Sequence, residues 1–492
     1  AGITMGDRHL PLSSVFMNGP TWGHDVFVPM DCIIGGQDNI GKGWAMLMNC
    51  LAVGRSISLP ALSAGAGKLC CLTTGAYSRI REQFNTPIGY FEGVEEVLAK
   101  IGGLTYLMDS ARTLTTSLVD NGEKPAVPSA ILKFHNTEAM RTVVNHAMDI
   151  HAGRGIINGP RNYIAALYQA IPISITVEGA NILTRSMMIF GQGAIRCHPY
   201  LLQEMEALRQ DDSGQGLRAF DELQGRHFGH QLQMTARSLV MGLSHARLAT
   251  APRSCGRTAR RYYRHLNRMA AGFFLISDVA LLILGGELKR REKISGRLAD
   301  GLSYLYLGSA VLKRFQDDGN PDDDRPLLDW AMQYCLYQLQ TALLAALDNF
   351  PSPALGRVLK GLVFPLGRRY KLPADALERQ VSRLLLTPSA ARDRLVAGGY
   401  RNIHPDDAIG RIEHAFLKKT ANQALDEKLR QAIHSGRIDD SVDLDDVLKQ
   451  AMALQILSAP EAVLIKAAED AVADAIQVDH FAAADFPIIA AE

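Results

Sequence analysis

The sequence predicts a mainly α protein of more than one domain. Three observations carry this. From Gly41 onward apolar residues recur at the three-and-four spacing of a buried helix face. Strand and loop composition, rich in Gly, Pro and β-branched residues, is confined to residues 1–35. The 492 residues exceed what one ordinary core can bury.

Asp25-Val26-Phe27-Val28-Pro29 reads as a strand leaving a sheet, with no hairpin partner clearly upstream. With Ala1 in place of Met, this makes the chain look N-terminally incomplete. No signal-peptide pattern opens it. Gly41-Lys42-Gly43-Trp44 opens a long apolar helical segment to about Thr74. Residues 94–118 are the most regular: Val97, Leu98, Ile101, Leu104, Met108, Ala111 and Leu114 form one buried face. Pro128 starts a helix to about His151, which Gly153, Gly155 and Gly159 break. Another helix is expected from about Asn162.

Around residues 198–216 the composition turns polar, a linker signal that includes Gln210-Asp211-Asp212-Ser213-Gly214-Gln215-Gly216. The remainder reads as helix, broken at 317–321, Pro351–Pro353, Pro365, Pro373 and Pro460. The final helix, from Glu461 to about Val478, places Val463, Leu464, Ala467, Ala471 and Ile476 on one side. Met269–Gly286 is apolar enough to be weighed as a membrane span. A charge at its centre, Asp278, favours a buried core helix. The arginines 253, 257, 260, 261, 264 and 268 lie along one helical face. They read as a solvated face or a contact with a subunit, an anionic lipid or a cofactor.

Composition excludes several classes. Lys and Arg number 52 against 51 Asp and Glu, a net charge of +1, so no bulk attraction to nucleic acid is expected. Seven cysteines form no CxxC pair, which removes the zinc-ribbon and thioredoxin-like readings and suits a reducing cytosol. No metal site is expected.

One carboxylate, Glu178, stands in the largely apolar run from Ile173 to Leu183. A carboxylate drawn from water into low-dielectric surroundings is a competent general base near neutral pH. A Glu-Gly pair can equally mark a helix end or a turn.

Three segments in register resemble the flavin-dependent acyl-CoA dehydrogenase family. Arg81-Glu82-Gln83-Phe84-Asn85-Thr86-Pro87-Ile88 looks like that family's Arg-x-x-Phe-Gly-x-Pro-Ile segment. Asp149 to Ile156 is similar to its glycine turn, and Val177-Glu178-Gly179 falls at its Tyr-Glu-Gly position. Asp25–Pro29 and Gly54-Arg55 also fall where the family has its last strand and its Gly-Arg helix. The long helical tail resembles the bacterial long-form subgroup that begins fatty-acid β-oxidation.

The resemblance implies a layout: residues 1–35 end a middle β domain, 36–200 form the family's C-terminal helical bundle, and 201–492 form an additional helical domain. It also implies FAD as cofactor and a medium- to long-chain fatty acyl-CoA as substrate, converted to a trans-2-enoyl-CoA. Glu178 would remove the α proton, and Arg55 and Gly179 would line the substrate site. Arg81, Gln83, Phe84, Gly153 and Gly155 would hold FAD. Arg81 would reach the pyrophosphate of a neighbouring subunit, which implies a homo-oligomer. An electron-transfer flavoprotein-type acceptor and a cytoplasmic setting follow, with peripheral inner-membrane contact left open. Asn85, Ala180, Asn181, Ile182 and Asp149 depart from the family's usual residues, and the family's flavin-ring motifs would lie before Ala1. Two alternatives stand beside this reading: an acyl-CoA oxidase, and a non-catalytic helical interaction protein on the same bundle.

Overall fold

Helix starts follow the capping chemistry of the sequence. The Asp212 side chain accepts from the N–H groups of Gly214 and Gln215, so this residue of the polar stretch is the N-cap of a 31-residue helix, Ser213–Leu243. A short helix, Leu201–Ala207, lies inside the expected linker. Ser352, Ser389, Asp407 and Asp443 cap later helices in the same way. Pro460 sits in the first turn of Ala459–Ala475, where its missing N–H costs nothing. Glu461 there accepts from the Ser458 N–H at 2.8 Å.

The computed structural model describes residues 2–13, 18–193, 198–210, 212–253, 255–439 and 441–482. Ala1, Cys197 and Asp211 lie outside them. Strands β1 (Ile3–Met5) and β2 (Thr21–Gly23) pair antiparallel, with Thr4 opposite Trp22. Asp25–Pro29 is not a strand: Asp25 takes a φ of 48° and Phe27 is fully exposed, so alternation there marks no buried face. Helix α1 (Gly43–Ile80) runs unbroken through Pro60, further than Thr74. It is followed by the hairpin β3 (Glu82–Gln83) and β4 (Thr86–Pro87), then α2 (Glu92–Asp120), α3 (Ala126–His151), α4 (Gly153–Ile156), α5 (Ala165–Thr176) and α6 (Asn181–Leu183). A π-helical stretch, Thr184–Gln192, continues from α6.

The chain forms two compact units that interleave along the sequence. The first takes residues 1–64, 106–139 and 169–374. Its centre is three long helices: Arg257–Leu284, Glu292–Asp317 and Arg325–Asp348. Leu298, Val311 and Leu312 on the second meet solvent nowhere, as do Leu328 and Leu343 on the third. Gly301 and Gly308 lie seven apart on one face. A Cβ at Gly301 would come within 3.1 Å of Leu343 and 3.2 Å of Phe273, and one at Gly308 within 3.2 Å of Leu266. These glycines let the neighbouring side chains close onto the helix backbone.

Arg257–Lys289 is the one stretch among the described residues long and apolar enough to cross a bilayer, and half of its apolar window is buried. Asp278 is buried and hydrogen-bonded to His198, His227 and Gln231, so its charge is satisfied inside the protein. The arginine run on this helix is not one solvated face. Arg268 is buried and donates to the Tyr370 hydroxyl at 3.1 Å, because the helix turns that position inward.

The second unit takes residues 65–105, 140–168 and 375–492. Its last helix buries Ala462, Ile465, Ala468, Val472 and Ala475. Val463 and Leu464, expected on the packed side, are exposed. The packed face runs through Ala462, Ile465, Ala468, Val472 and Ala475, one position round the helix from the face expected. Deeper in the unit, Arg392 and Glu413 are each 1% exposed and form two parallel 2.7 Å hydrogen bonds, and Arg392 also reaches the Leu72 carbonyl at 3.1 Å. The fork geometry satisfies both charges. Glu413→Ala strands a buried guanidinium and is expected to lower stability by about 3–5 kcal/mol. Urea denaturation checks this; a loss under about 1 kcal/mol contradicts it.

Candidate active site

Glu178 lies in the turn between α5 and α6, as a chain leaving one helix and entering another requires. Both turn residues are in the left-handed region, Glu178 at φ 56° and Gly179 at φ 95°. Glycine adopts that region freely; glutamate does so at a cost of about 1–3 kcal/mol.

Three helices of the first unit hold the turn. From α1, the buried Arg55 donates Nε–H to the Glu178 carbonyl at 2.7 Å. From α3, the fully buried Lys133 donates to the Ile175 carbonyl at 3.0 Å and to Asn181 Oδ1 at 2.6 Å. Asn181 in turn donates to Glu138 at 2.7 Å and to the Thr137 hydroxyl at 3.0 Å. Thr184 closes the far side with a bond to the Gly179 carbonyl at 3.1 Å. The carboxylate of Glu178 interacts electrostatically with both Arg55 and Lys133. Its Oε2 is buried and has no hydrogen-bond partner among the described residues. The Glu178 N–H also has no acceptor among them.

Burial lowers the Arg55 guanidinium from its ordinary value, against the pull of Glu178. Burial likewise brings Lys133 down to about 8, with Glu178 opposing the shift. The site is therefore a carboxylate between two desolvated cations, not a carboxylate in a purely apolar run. Sequence reasoning passed over Lys133 and Glu138, and marked Asn181 only as a departure from the family's usual residue. The signal was present for Lys133, a lone cation within Ser129-Ala130-Ile131-Leu132-Lys133-Phe134.

The other expected residues belong to the second unit. Phe84 and Asn85 form the two-residue tip of the β3–β4 hairpin with φ 52° and 58°, the signature of a type I′ turn. Asparagine tolerates this readily, so it can stand where the family has glycine. Phe84 is 91% exposed, a large apolar ring in a costly conformation held out in water. Gln83 beside it is exposed, and Arg81 is half-buried with no carboxylate partner among the described residues. Behind the hairpin, the Tyr77 hydroxyl lies in the field of both Arg81 and Arg154. Arg154 lies over the Tyr163 ring at 4.8 Å, and the Tyr163 hydroxyl meets His151 Nε2 at 2.7 Å. Burial pushes His151 down to about 3, so this histidine is neutral.

Gly153 opens α4 with open space where a side chain would stand. A Cβ at the buried Gly155 would sit 3.3 Å from the Met148 carbonyl. The strained position is their neighbour: Ala152 takes φ 48°, ψ −127°. Asp149 is exposed and contributes its carbonyl, which accepts from the Ala152 N–H at 3.3 Å.

Two outcomes follow. The folded value of Lys133 lies below its ordinary 10.5, so the unfolded chain holds the extra proton between about 8 and 10.5. Stability of the natural protein is therefore expected to rise across that window relative to Lys133→Met. Paired denaturation curves at its two ends test this, and a gap that stays constant contradicts it. Separately, Ala152→Gly is expected to raise stability by roughly 1 kcal/mol by relieving the backbone; a shift of the urea midpoint in the other direction contradicts that.

Comparison with known proteins gives two family matches along the chain. The family described as "Acyl-CoA dehydrogenase, C-terminal, bacterial type" matches residues 195–481, and "Acyl-CoA dehydrogenase, C-terminal domain" matches residues 41–189. A 75-residue stretch is 56% identical to Protein HemX of Proteus mirabilis, covering 15% of this chain and 44% of that protein. A stretch of 139 residues is 30% identical to the probable acyl-CoA dehydrogenase FadE10 of Mycobacterium bovis, 28% of this chain and 21% of that one. The fold is similar to that of an acyl-CoA dehydrogenase from Bacillus anthracis, solved in complex with FAD: TM-score 0.60 at 18% identity, covering 78% of this chain and 64% of that one. The chain thus spans less than half the length of these curated relatives.

Proposed function

The chain belongs to the bacterial-type acyl-CoA dehydrogenase C-terminal family, and from that premise we propose that it is the base-bearing part of an FAD-dependent enzyme that converts a fatty acyl-CoA to the trans-2-enoyl-CoA. The observation that carries this reading is Glu178 Oε2: a buried carboxylate oxygen with no partner, in a turn fixed from three helices. An acceptor left unsatisfied inside a protein is costly unless something occupies it in use. An α proton of a thioester is the occupant that this base would take.

Glu178 removes that proton, and its carboxyl group holds it as the Cα–Cβ double bond forms. The free Glu178 N–H is available to the thioester oxygen, whose negative charge grows as the proton leaves. Arg55 fixes the Glu178 carbonyl, one peptide unit beyond that N–H, and so holds the turn from which it projects, and Gly179 leaves the approach open. Lys133 keeps the turn from opening.

The residues of the second unit fit a flavin dinucleotide in chemistry. Arg81 without a carboxylate partner suits a pyrophosphate. Exposed Phe84 offers a ring face, Gln83 a hydrogen bond, and the Gly153–Gly155 turn a close backbone approach to the adenosine end. FAD, when bound, accepts the hydride from the β carbon. On this reading residues 1–35 end the middle β domain, 36–200 form the catalytic bundle and 201–492 the bacterial-type extension. Medium- to long-chain substrates, the first step of β-oxidation, an electron-transfer flavoprotein-type acceptor, a homo-oligomer and a cytoplasmic setting with peripheral membrane contact belong to the same proposal.

The test is anaerobic bleaching of the FAD band by palmitoyl-CoA. Glu178→Gln keeps the shape and removes the base, so FAD binding survives while the rate of bleaching falls about 10²- to 10⁴-fold. Bleaching at the natural rate in that variant overturns the assignment.

A further inference from the structure

A cavity of about 770 Å³ opens beside the helices Leu201–Ala207, Ser213–Leu243 and Arg257–Leu284. None of Arg55, Lys133, Glu178 or Asn181 lines it. Its wall is apolar: Leu201, Met205, Phe228, Leu281, Leu282 and Leu288. Phe228 and Leu282 are 62% and 78% exposed, so large apolar side chains stand in water at its mouth.

The buried polar groups that face the cavity, His198, Glu204, His227 and Asp278, are satisfied by one another and by Gln231. His198 Nδ1 accepts from the N–H groups of Tyr200 and Leu201, so its proton is on Nε2 and goes to Asp278 Oδ1 at 3.2 Å. His227 meets the same oxygen at 3.1 Å through Nε2 and Glu204 at 2.8 Å through Nδ1. The His227 ring thus bridges two buried carboxylates. Gln231 takes the other oxygen of Asp278.

His198, His227 and Asp278 have donor atoms close enough to suggest a metal centre. The proton on His198 Nε2 occupies the lone pair a cation would need, so these groups form a proton-filled network. An apolar ligand entering the cavity leaves no polar group stranded.

At the mouth the chemistry changes. Lys289 lines the cavity, and Lys289, Arg290 and Arg291 follow one another, all exposed, with no carboxylate partner among the described residues. An apolar chamber of this size with Lys289 in its lining, and Arg290 and Arg291 next to it in the chain, is complementary to a long hydrocarbon chain that ends in an anion. We propose that this cavity is a second binding site, separate from the Glu178 site, for a long-chain fatty acid. The hydrocarbon lies along the Leu201–Phe228–Leu281 wall and the carboxylate meets the Lys289–Arg291 rim.

Calorimetric titration of the FAD-loaded protein with hexadecanoate, below its critical micelle concentration, tests this. The expected result is one saturable site per chain. Leu281→Trp fills the chamber and removes it, and Lys289→Glu at the exposed rim weakens it about tenfold. Hexadecyltrimethylammonium, with the same chain and the opposite charge, does not compete. Glu178→Gln keeps the binding, so failure of the dehydrogenase reading and failure of this one are separate results. The proposal is overturned by an absence of saturable binding, by equal binding of the cationic analogue, or by binding that both cavity variants retain. It is also overturned if sedimentation shows that Leu282→Asp turns a dimer into a monomer, because a second copy then covers the mouth.

Discussion

The left-handed turn at Glu178 and Gly179 is the constraint on which the site depends. A glutamate does not stay at φ 56° on its own account. It stays because Arg55 pins its carbonyl from α1, while Lys133 and Asn181 tie the residues on either side of it to α3. All three of these bonds come from cations, Arg55 and Lys133, which makes them strong inside a protein. The same residues that offset the strain also set the electrostatics. The carboxylate is thus placed and polarised by one set of contacts, and one of its oxygens remains unbonded.

Buried charge is handled by one rule elsewhere in the chain. Arg392 and Glu413 match fork to fork. Asp278 sits mid-helix in a very apolar segment and is surrounded by two imidazoles and an amide. Asp109 takes Arg112 at 2.8 Å and Arg314 at 2.9 Å. In each case desolvation is offset because both carboxylate oxygens meet a donor. Against that pattern the bare oxygen of Glu178 stands out as a group reserved for something outside the chain.

The helical architecture was legible because its signal is repetitive: α2 and α3 begin and end close to where periodicity and prolines put them. Glu178 was legible as a carboxylate out of place. Other features depend on information that a linear pattern does not carry. Lys133 looks like any long side chain able to reach solvent from a helix, and only tertiary packing shows that it points inward. The packed face of the last helix takes Ala462, Ile465, Ala468 and Val472 and leaves Val463 and Leu464 exposed, because tertiary contacts set the rotation of an alanine-rich helix that is apolar on more than one side. Ala152 holds a conformation that glycine would hold without cost, and its side chain gives no hint of it. Phe27, read as strand, alternates for no reason that burial supports.

The central claim is that Glu178 takes an α proton from an acyl thioester. The most direct measurement is hydrogen–deuterium exchange at the α carbon of a 3-thiaacyl-CoA in D₂O, followed by NMR on the FAD-loaded protein. Sulfur at the β position blocks hydride loss, so exchange reports the base alone. The account predicts exchange catalysed by the natural protein and abolished by Glu178→Gln while the analogue still binds. Exchange that continues undiminished in that variant would contradict it and move the base to another residue.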